Sequence, residues 1–359
     1  MTLLYYYFRT LLGCLIYRKS FHRTAFHDGK MMYKNYKGDD KKGIFQVLRE
    51  LDVLCRYWKC FPDSYFRFAH FKKEYDDIEL IKTYVPQGAY ARYCVNSDPK
   101  YQILIDDKIL YHDVMTRYGL PVPERFFSFS YGMFKANGRE ISDEEVDRIL
   151  SEITDPQFFI KRNMCGEGSG VFLVKRKEDG FYTSKGVKIT AKTIRANFSH
   201  SQYLFERQVI QHPVMAQFNP SSVNTCRIIT FHNKAIACGA RFGRSGSFID
   251  NAAKGGLVVS VDMETGLLGA YGLREYDATK YYEHPDSHVA FKGVAVPHWK
   301  EMVAAVEKTC RMLPYYSSVG FDVACTPNGP VIIEINTGTG ASAPQMGKDR
   351  GIADLFLKG

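Results

Sequence analysis

The chain has 359 residues, 45% of them hydrophobic, with 48 Lys and Arg against 39 Asp and Glu for a net charge of +9. That length exceeds the roughly 250 to 300 residues at which a single core stops growing, so a globular protein of two or three packed subdomains is expected. The basic balance suits an anionic partner such as a nucleotide, a phosphosugar or a membrane surface, or else belongs to an ordinary basic enzyme. No RNP-like or zinc-finger pattern points to nucleic acid, and none is expected as a partner.

Nine cysteines, at 14, 55, 60, 94, 165, 226, 238, 310 and 325, form no CxxC pair. Neither a zinc site nor a disulfide framework is indicated, and reduced thiols in a cytoplasm are the simplest account.

The opening MTLLYYYFRTLLGCLIYRKSFHR is interrupted by Arg9 and Arg18, so it falls short of the ~18 apolar residues a membrane-spanning helix needs. It has no basic start or small-residue cleavage site of a signal peptide. Two readings remain: a helix packed on the rest of the protein, or a peripheral contact with an anionic membrane at its inner face. Further on, GIFQVLRELDVLCRYWKCF has helical periodicity, with Ile44, Val47, Leu48, Leu51 and Leu54 predicted on one face. Residues 1–100 read as a mostly helical region without a catalytic constellation.

A helix is predicted from Asp106 to about Tyr118, stopped by Gly119, with Pro121 and Pro123 enforcing an extended exit into a strand. Ser142 and Glu145 form a capping box for a second helix over about 143–153. Strand-like runs follow: FFIKRN into VFLVKRKEDGFYT, then YLFERQVI, then RIITFHNKAIACGAR into GGLVVSVDMETG. HWKEMVAAVEKTCRML is a further helix, with Val303, Val306 and Leu313 on one face. The fold class is α+β.

GFDVACTPNGPVIIEINTGTG reads as a hairpin around Pro327-Asn328-Gly329. A three-residue turn would pair Thr326 with Pro330, Ala324 with Ile332 and Asp322 with Glu334, and would place Asn336 on the same face. Three oxygen-bearing side chains then converge, a donor set suited to Mg²⁺ in a nucleotide enzyme. The bland alternative is a solvated polar face. Against it, VIIEIN is otherwise apolar and Asn is a poor strand former.

Upstream, Lys161 ends an apolar strand just before the loop holding Gly166, Gly168, Ser169 and Gly170. Glycines let backbone N–H groups close on phosphate oxygens while the lysine supplies a point charge. This is neither a Walker A motif nor a GxGxxG feeding a helix. Arg227 and Arg241, fourteen residues apart, share a face if the turn near Asn233 has an odd number of residues.

The order Lys108, Lys161 with its glycines, Glu206, Arg227, Arg241, Asp322, Glu334 and Asn336 resembles the ATP-grasp superfamily. The stretches FERQVIQHPVMAQFNPSSVNTCRIIT, GSFIDNAAKGG and NTGTGASAPQM resemble its sugar-transfer-associated branch, found among polysaccharide biosynthesis genes. The resemblance covers about residues 80–352. It implies two α+β subdomains clamping ATP: a lid subdomain over 101–205 and a C-terminal subdomain with the Mg²⁺ site over 206–359.

It also implies Lys108 and Lys161 near the α- and β-phosphates, the 166–170 loop as a lid, and Glu206 with the Val209 backbone at adenine. Where relatives hold the ribose with a carboxylate, this chain reads Gln211-His212-Pro213, a departure that leaves that contact unassigned. Arg227 and Arg241 become candidate catalytic residues; Asn251, Ser342 and Gln345 become substrate-side candidates.

The expected activity is an ATP- and Mg²⁺-dependent ligase that joins a small or sugar-linked carboxylate to an amine or thiol through an acyl phosphate, in surface glycan synthesis. A small-molecule or sugar kinase with the same ATP site and a non-catalytic ATP-binding scaffold of a glycan-assembly complex are the alternatives. Oligomeric state is not encoded in any legible motif.

Overall fold

The structure is a computed structural model that describes residues 2–5, 29–94, 99–165, 170–246, 255–337, 340 and 342–357. The leading region is helical: residues 2–5 and 29–35, then α1 (Ile44–Trp58), α2 (Ser64–Arg67), α3 (Ile78–Lys82) and α4 (Gln87–Cys94). On α1 the buried stripe is Val47, Leu51, Leu54, Cys55 and Trp58. Ile44 and Leu48, expected on that stripe, are exposed. Leu48 sits at its margin, about 100° from Val47, whereas Ile44 is in line with the stripe but is the first residue of the helix.

α5 (Ile103–Asp106) and α6 (Lys108–Arg117) follow. Asp107, rather than Asp106, starts α6: it leaves the helical conformation and its carboxylate accepts from the Ile109 and Leu110 amides. Gly119 ends the turn at φ +62°, and the chain runs through Pro121 and Pro123 into the first sheet.

Among the described residues that sheet has seven antiparallel strands in the order β3-β2-β1-β7-β4-β5-β6: β1 (Arg125–Ser130), β2 (Met133–Ala136), β3 (Arg139–Ile141), β4 (Gln157–Arg162), β5 (Val171–Lys177), β6 (Gly180–Thr183) and β7 (Gln202–Arg207). α7 (Asp143–Glu152), begun by the Ser142–Glu145 capping box, and α8 (Ala191–Phe198) cover one face. Their Val146, Leu150 and Ile194 pack on a ladder of Phe127, Phe129, Phe158 and Phe205.

A short α9 (Pro213–Ala216) leads to the second sheet, again antiparallel, in the order β11-β10-β9-β8-β12-β13. Its strands are β8 (Thr225–Phe231), β9 (Lys234–Phe242), β10 (Leu257–Val261), β11 (Leu268–Leu273), β12 (Gly320–Thr326) and β13 (Gly329–Asn336). One face packs on α10 (Trp299–Met312) through Cys226, Ile228, Val259, Phe321, Val323, Ile332, Met302 and Val306. At the far end of the other face, Ile229 and Ala237 meet the helical leading region and the tail helix α11 (Ala353–Leu357) in one core with Leu51, Val85, Tyr90 and Phe356. Among the described residues no helix is long and apolar enough to cross a membrane.

Both hairpins of this sheet depart from the expected turns in the same way. The β12–β13 turn has two residues, pairing Thr326 with Gly329 and Ala324 with Val331. An extra residue, Ile333, shifts the register so that Asp322 still faces Glu334. The β8–β9 turn is His232-Asn233, an even number with both residues at positive φ. Ile236 is its extra residue, and Arg227 then pairs with Gly239 while Arg241 pairs with Thr225.

Candidate functional site

The face of the second sheet opposite α10 carries a charged row across three neighbouring strands. Arg227 on β8 pairs with Asp322 on β12, and Asp322 pairs with Glu334 on β13. Arg241 stands two residues beyond Gly239, Arg227's cross-strand partner, and so faces the same side. Asn336 lies two residues beyond Glu334, also on this side.

Asp322 is 5% exposed. Arg227 donates to both of its oxygens, with Nη2 2.8 Å from Oδ2, and Arg241 Nη2 approaches Oδ2 at 3.1 Å. Burial pushes the Asp322 carboxyl upward, but the two guanidinium groups outweigh it and hold it below its ordinary value. Thr225 Oγ1 orients Arg241, accepting from its Nη2 at 3.0 Å.

On the first sheet, Lys161 and Glu206 lie on the face that α7 and α8 leave uncovered. β4 and β7 pair Lys161 with Leu204 and Phe159 with Glu206, which makes the two charged residues diagonal neighbours. Lys161 Nζ is 2.6 Å from Glu206 Oε2. The contact is an ion pair; no donor aligns on that buried oxygen as a hydrogen bond.

α6 joins the two sheets. Lys108, its first residue, donates from Nζ to Glu334 Oε1 at 2.7 Å, while its amide donates to Asn163 Oδ1 at 2.7 Å. Buried Asn163, two residues after Lys161, also donates to Gln202 Oε1. Tyr111, one helical turn after Lys108, is buried beside Glu334 and Glu206. Burial first, then those two carboxylates, raise its phenol well above the ordinary value, so it remains an O–H donor.

Asn163 and Tyr111 were not singled out from sequence. A polar residue closing the FFIKRN strand was a signal for the first; nothing local distinguishes the second from a core tyrosine.

Among the described residues, two buried polar atoms without partners line this space: Tyr111 Oη and Asn336 Nδ2. Buried polar groups are normally paired, so these point to a polar ligand. The oxygens also fit a hard cation. Among the described residues, Asp322 Oδ1 has one donor, from Arg227, and Glu334 Oε2 has none. No three His, Cys, Asp or Glu side chains converge among the described residues, so a three-residue donor set needs the Asn336 amide.

The remaining candidates are placed as follows. Gly170, at φ +72°, accepts from the Arg162 amide and closes the β4–β5 hairpin. Gly166, Gly168, Ser169 and Asn251 lie outside the described residues. Val209 is half-buried in the link after β7.

Gln211 accepts from Asn224 and donates to the Asn219 and Ser222 carbonyls, bracing its own loop. His212 caps α9, and its amide donates to the Cys325 carbonyl. Ser342 donates to Glu275 Oε1 at 3.2 Å. Gln345 is 1% exposed and binds both the N–H and the C=O of Val85, so it ties the tail to the helical region instead of facing the open side. The tail crosses the sheet directly: a Cβ on Gly239 would fall 2.5 Å from the Ala343 carbonyl oxygen.

Comparison with known proteins adds to this geometry. The profile of a family described as sugar-transfer associated ATP-grasp matches residues 90–358. No curated protein matches the sequence.

Among solved structures, D-alanine–D-alanine ligase from Bacillus anthracis is similar at 15% identity, over 65% of this chain and 57% of that one, with a TM-score of 0.35. The ATP-grasp ligase PsnB, solved with a precursor variant, Mg and ADP, is similar at 11% identity over 73% and 61%, with a TM-score of 0.39. The ADP complex of N5-carboxyaminoimidazole ribonucleotide synthetase is similar at 11% identity over 67% and 47%, with a TM-score of 0.39. This chain thus spans about half to three fifths of the length of these proteins.

Proposed function

Because the chain belongs to the sugar-transfer associated ATP-grasp family, we propose that it is an ATP-dependent carboxylate–amine ligase. Its substrates would be small, sugar-linked or related acids and amines of surface polysaccharide synthesis, handled in the cytoplasm at the inner face of the membrane. The carrying observation is the row Arg227–Asp322–Glu334 with Arg241 beside it, fixed charge facing the Lys108 and Lys161 pairs.

In this reading ATP lies between the two sheets, with the 101–205 part as the lid. Lys161 and Lys108 are drawn off their carboxylates onto phosphate oxygens, as point charges. Asp322, Glu334 and Asn336 hold Mg²⁺, which supplies neutralisation of phosphate charge. Tyr111, Glu206 and the backbone near Val209 meet the base.

A substrate carboxylate oxygen attacks the γ-phosphorus and ADP leaves; the amine then attacks the acyl carbon and phosphate departs. Arg241 stabilises the transferring phosphoryl group and Arg227 the acyl oxygen, each kept in place by Asp322. Asn251 and Ser342 are proposed on the substrate side.

Calorimetry of ATP with and without Mg²⁺, on the wild type and on Glu334→Gln, tests the site. The expected result is loss of the metal-dependent part of binding in the variant. If the wild type binds no ATP, the proposal fails. A phosphate ester formed on a hydroxyl acceptor, with neither carboxylate nor amine required, would replace the ligase by a kinase.

A further inference from the structure

The net charge of this protein is concentrated at one end. Residues 1–60 hold twelve Lys and Arg against five Asp and Glu, +7 of the chain's +9. In the same region α1 presents large apolar side chains to solvent, with Phe45 86%, Ile44 49% and Leu48 43% exposed.

At about 100° per residue, Phe45, Leu48, Arg49, Asp52 and Arg56 occupy one outward third of the helix, opposite the buried Val47, Leu51 and Leu54. The helical residues 2–5 are anchored to that same side: the Leu3 amide donates to Asp52 Oδ1 at 3.0 Å, which sets the 60%-exposed Leu4 beside the α1 stripe. Lys30, Lys34 and Lys37 are exposed on and just after the adjoining 29–35 helix.

We infer that the outward face of α1, with Leu4 and the surrounding Lys and Arg, is a docking surface for an anionic lipid bilayer. Phe45 and Leu48 beside Arg49, with Arg56 paired to Asp52 at one end of the face, match an interfacial helix, which buries its apolar stripe at the acyl boundary and sets cations among the headgroups. A protein groove would take the apolar stripe but would not account for the net positive charge of the sequence segment that carries it. Lipid does both. The surface deepens the proposed location at the membrane and is independent of the chemistry, since none of its residues belongs to the charged row.

The test is co-sedimentation of the full chain, without nucleotide, with vesicles of phosphatidylcholine alone or mixed with phosphatidylglycerol. Binding is expected on the anionic vesicles and should weaken as salt is raised, because surface charge is screened. The double variant Phe45→Ser, Leu48→Ser should bind them weaker by on the order of tenfold, with its Mg-ATP calorimetry unchanged. Absence of wild-type binding to anionic vesicles at low salt would overturn the inference, as would full binding by the double variant. Vesicle binding without any ATP binding would retain the docking surface and reject the ligase.

Discussion

Asp322 owes its ionised state to two arginines, and that makes its energetics testable apart from any substrate. Arg227→Met leaves a carboxylate of 5% exposure with one guanidinium, and removing a partner from a buried ion pair costs up to about 3–5 kcal/mol. In the wild type the native pKa lies below the ordinary 3.8. The stabilisation is therefore present above pH 3.8 and lost as pH falls through the lower native value. The variant's deficit in melting temperature should be largest near neutrality and shrink toward pH 3; a deficit independent of pH would contradict this account.

His70 has a linkage of the same sign in a higher pH window. It is buried among Tyr65, Phe68, Tyr75 and Tyr84, both ring nitrogens lack hydrogen-bond partners among the described residues, and burial pushes its pKa down to about 3. The unfolded chain takes up a proton near 6.5 and the native chain does not, so stability declines from pH 6.5 toward 3 by up to about 1.4 kcal/mol per pH unit. His70→Phe should flatten that slope in denaturant titrations and leave neutral-pH stability equal or higher.

At the scale of elements, the hairpin that carries Asp322 and Glu334 was legible in sequence, and so was their pairing, but the mechanism of the pairing was not. Periodicity of two gives the face only when the turn length is known. Both turns hold two residues where an odd number was assumed, and Ile333 and Ile236 restore the parity. A bulge formed by an isoleucine within an apolar strand leaves no compositional mark.

Gln345 illustrates the converse: a polar residue in a Gly-rich tail reads as a substrate contact, yet the fold spends both ends of its amide on Val85. Replacing it with Leu should cost about 2–4 kcal/mol, because two buried backbone groups lose their partners. Guanidinium chloride unfolding would measure this, and a neutral effect would return Gln345 to the substrate side.

The whole molecule is held together across its length. The family match begins at residue 90, but the sheet face at Ile229 and Ala237 is covered by residues from Val47 to Tyr90. Arg67, 5% exposed on α2, pairs with Glu275, which also accepts from Ser342. A chain starting at residue 99 should therefore expose that face, bind a hydrophobic dye and lose its cooperative melt; a sharp melt would mean that the leading region is an accessory. The sequence of the leading region showed helices and little else, since its role is to cover a distant sheet, and a partner two hundred residues away has no local signature.

The joint between the two ends of the chain also sets a schedule. Thr83 receives the Gly351 amide on its side chain and the Ala353 amide on its carbonyl, and the first of these bonds spans 268 residues. At a synthesis rate of roughly 5–20 residues per second, Ile81, Val85 and Tyr90 wait about a quarter of a minute to a minute on the ribosome before the segment that buries them exists. The nascent chain spends that interval as a client for whatever shields apolar surface in the cell, and its yield on overexpression should follow the speed of elongation more closely than the stability of the finished protein.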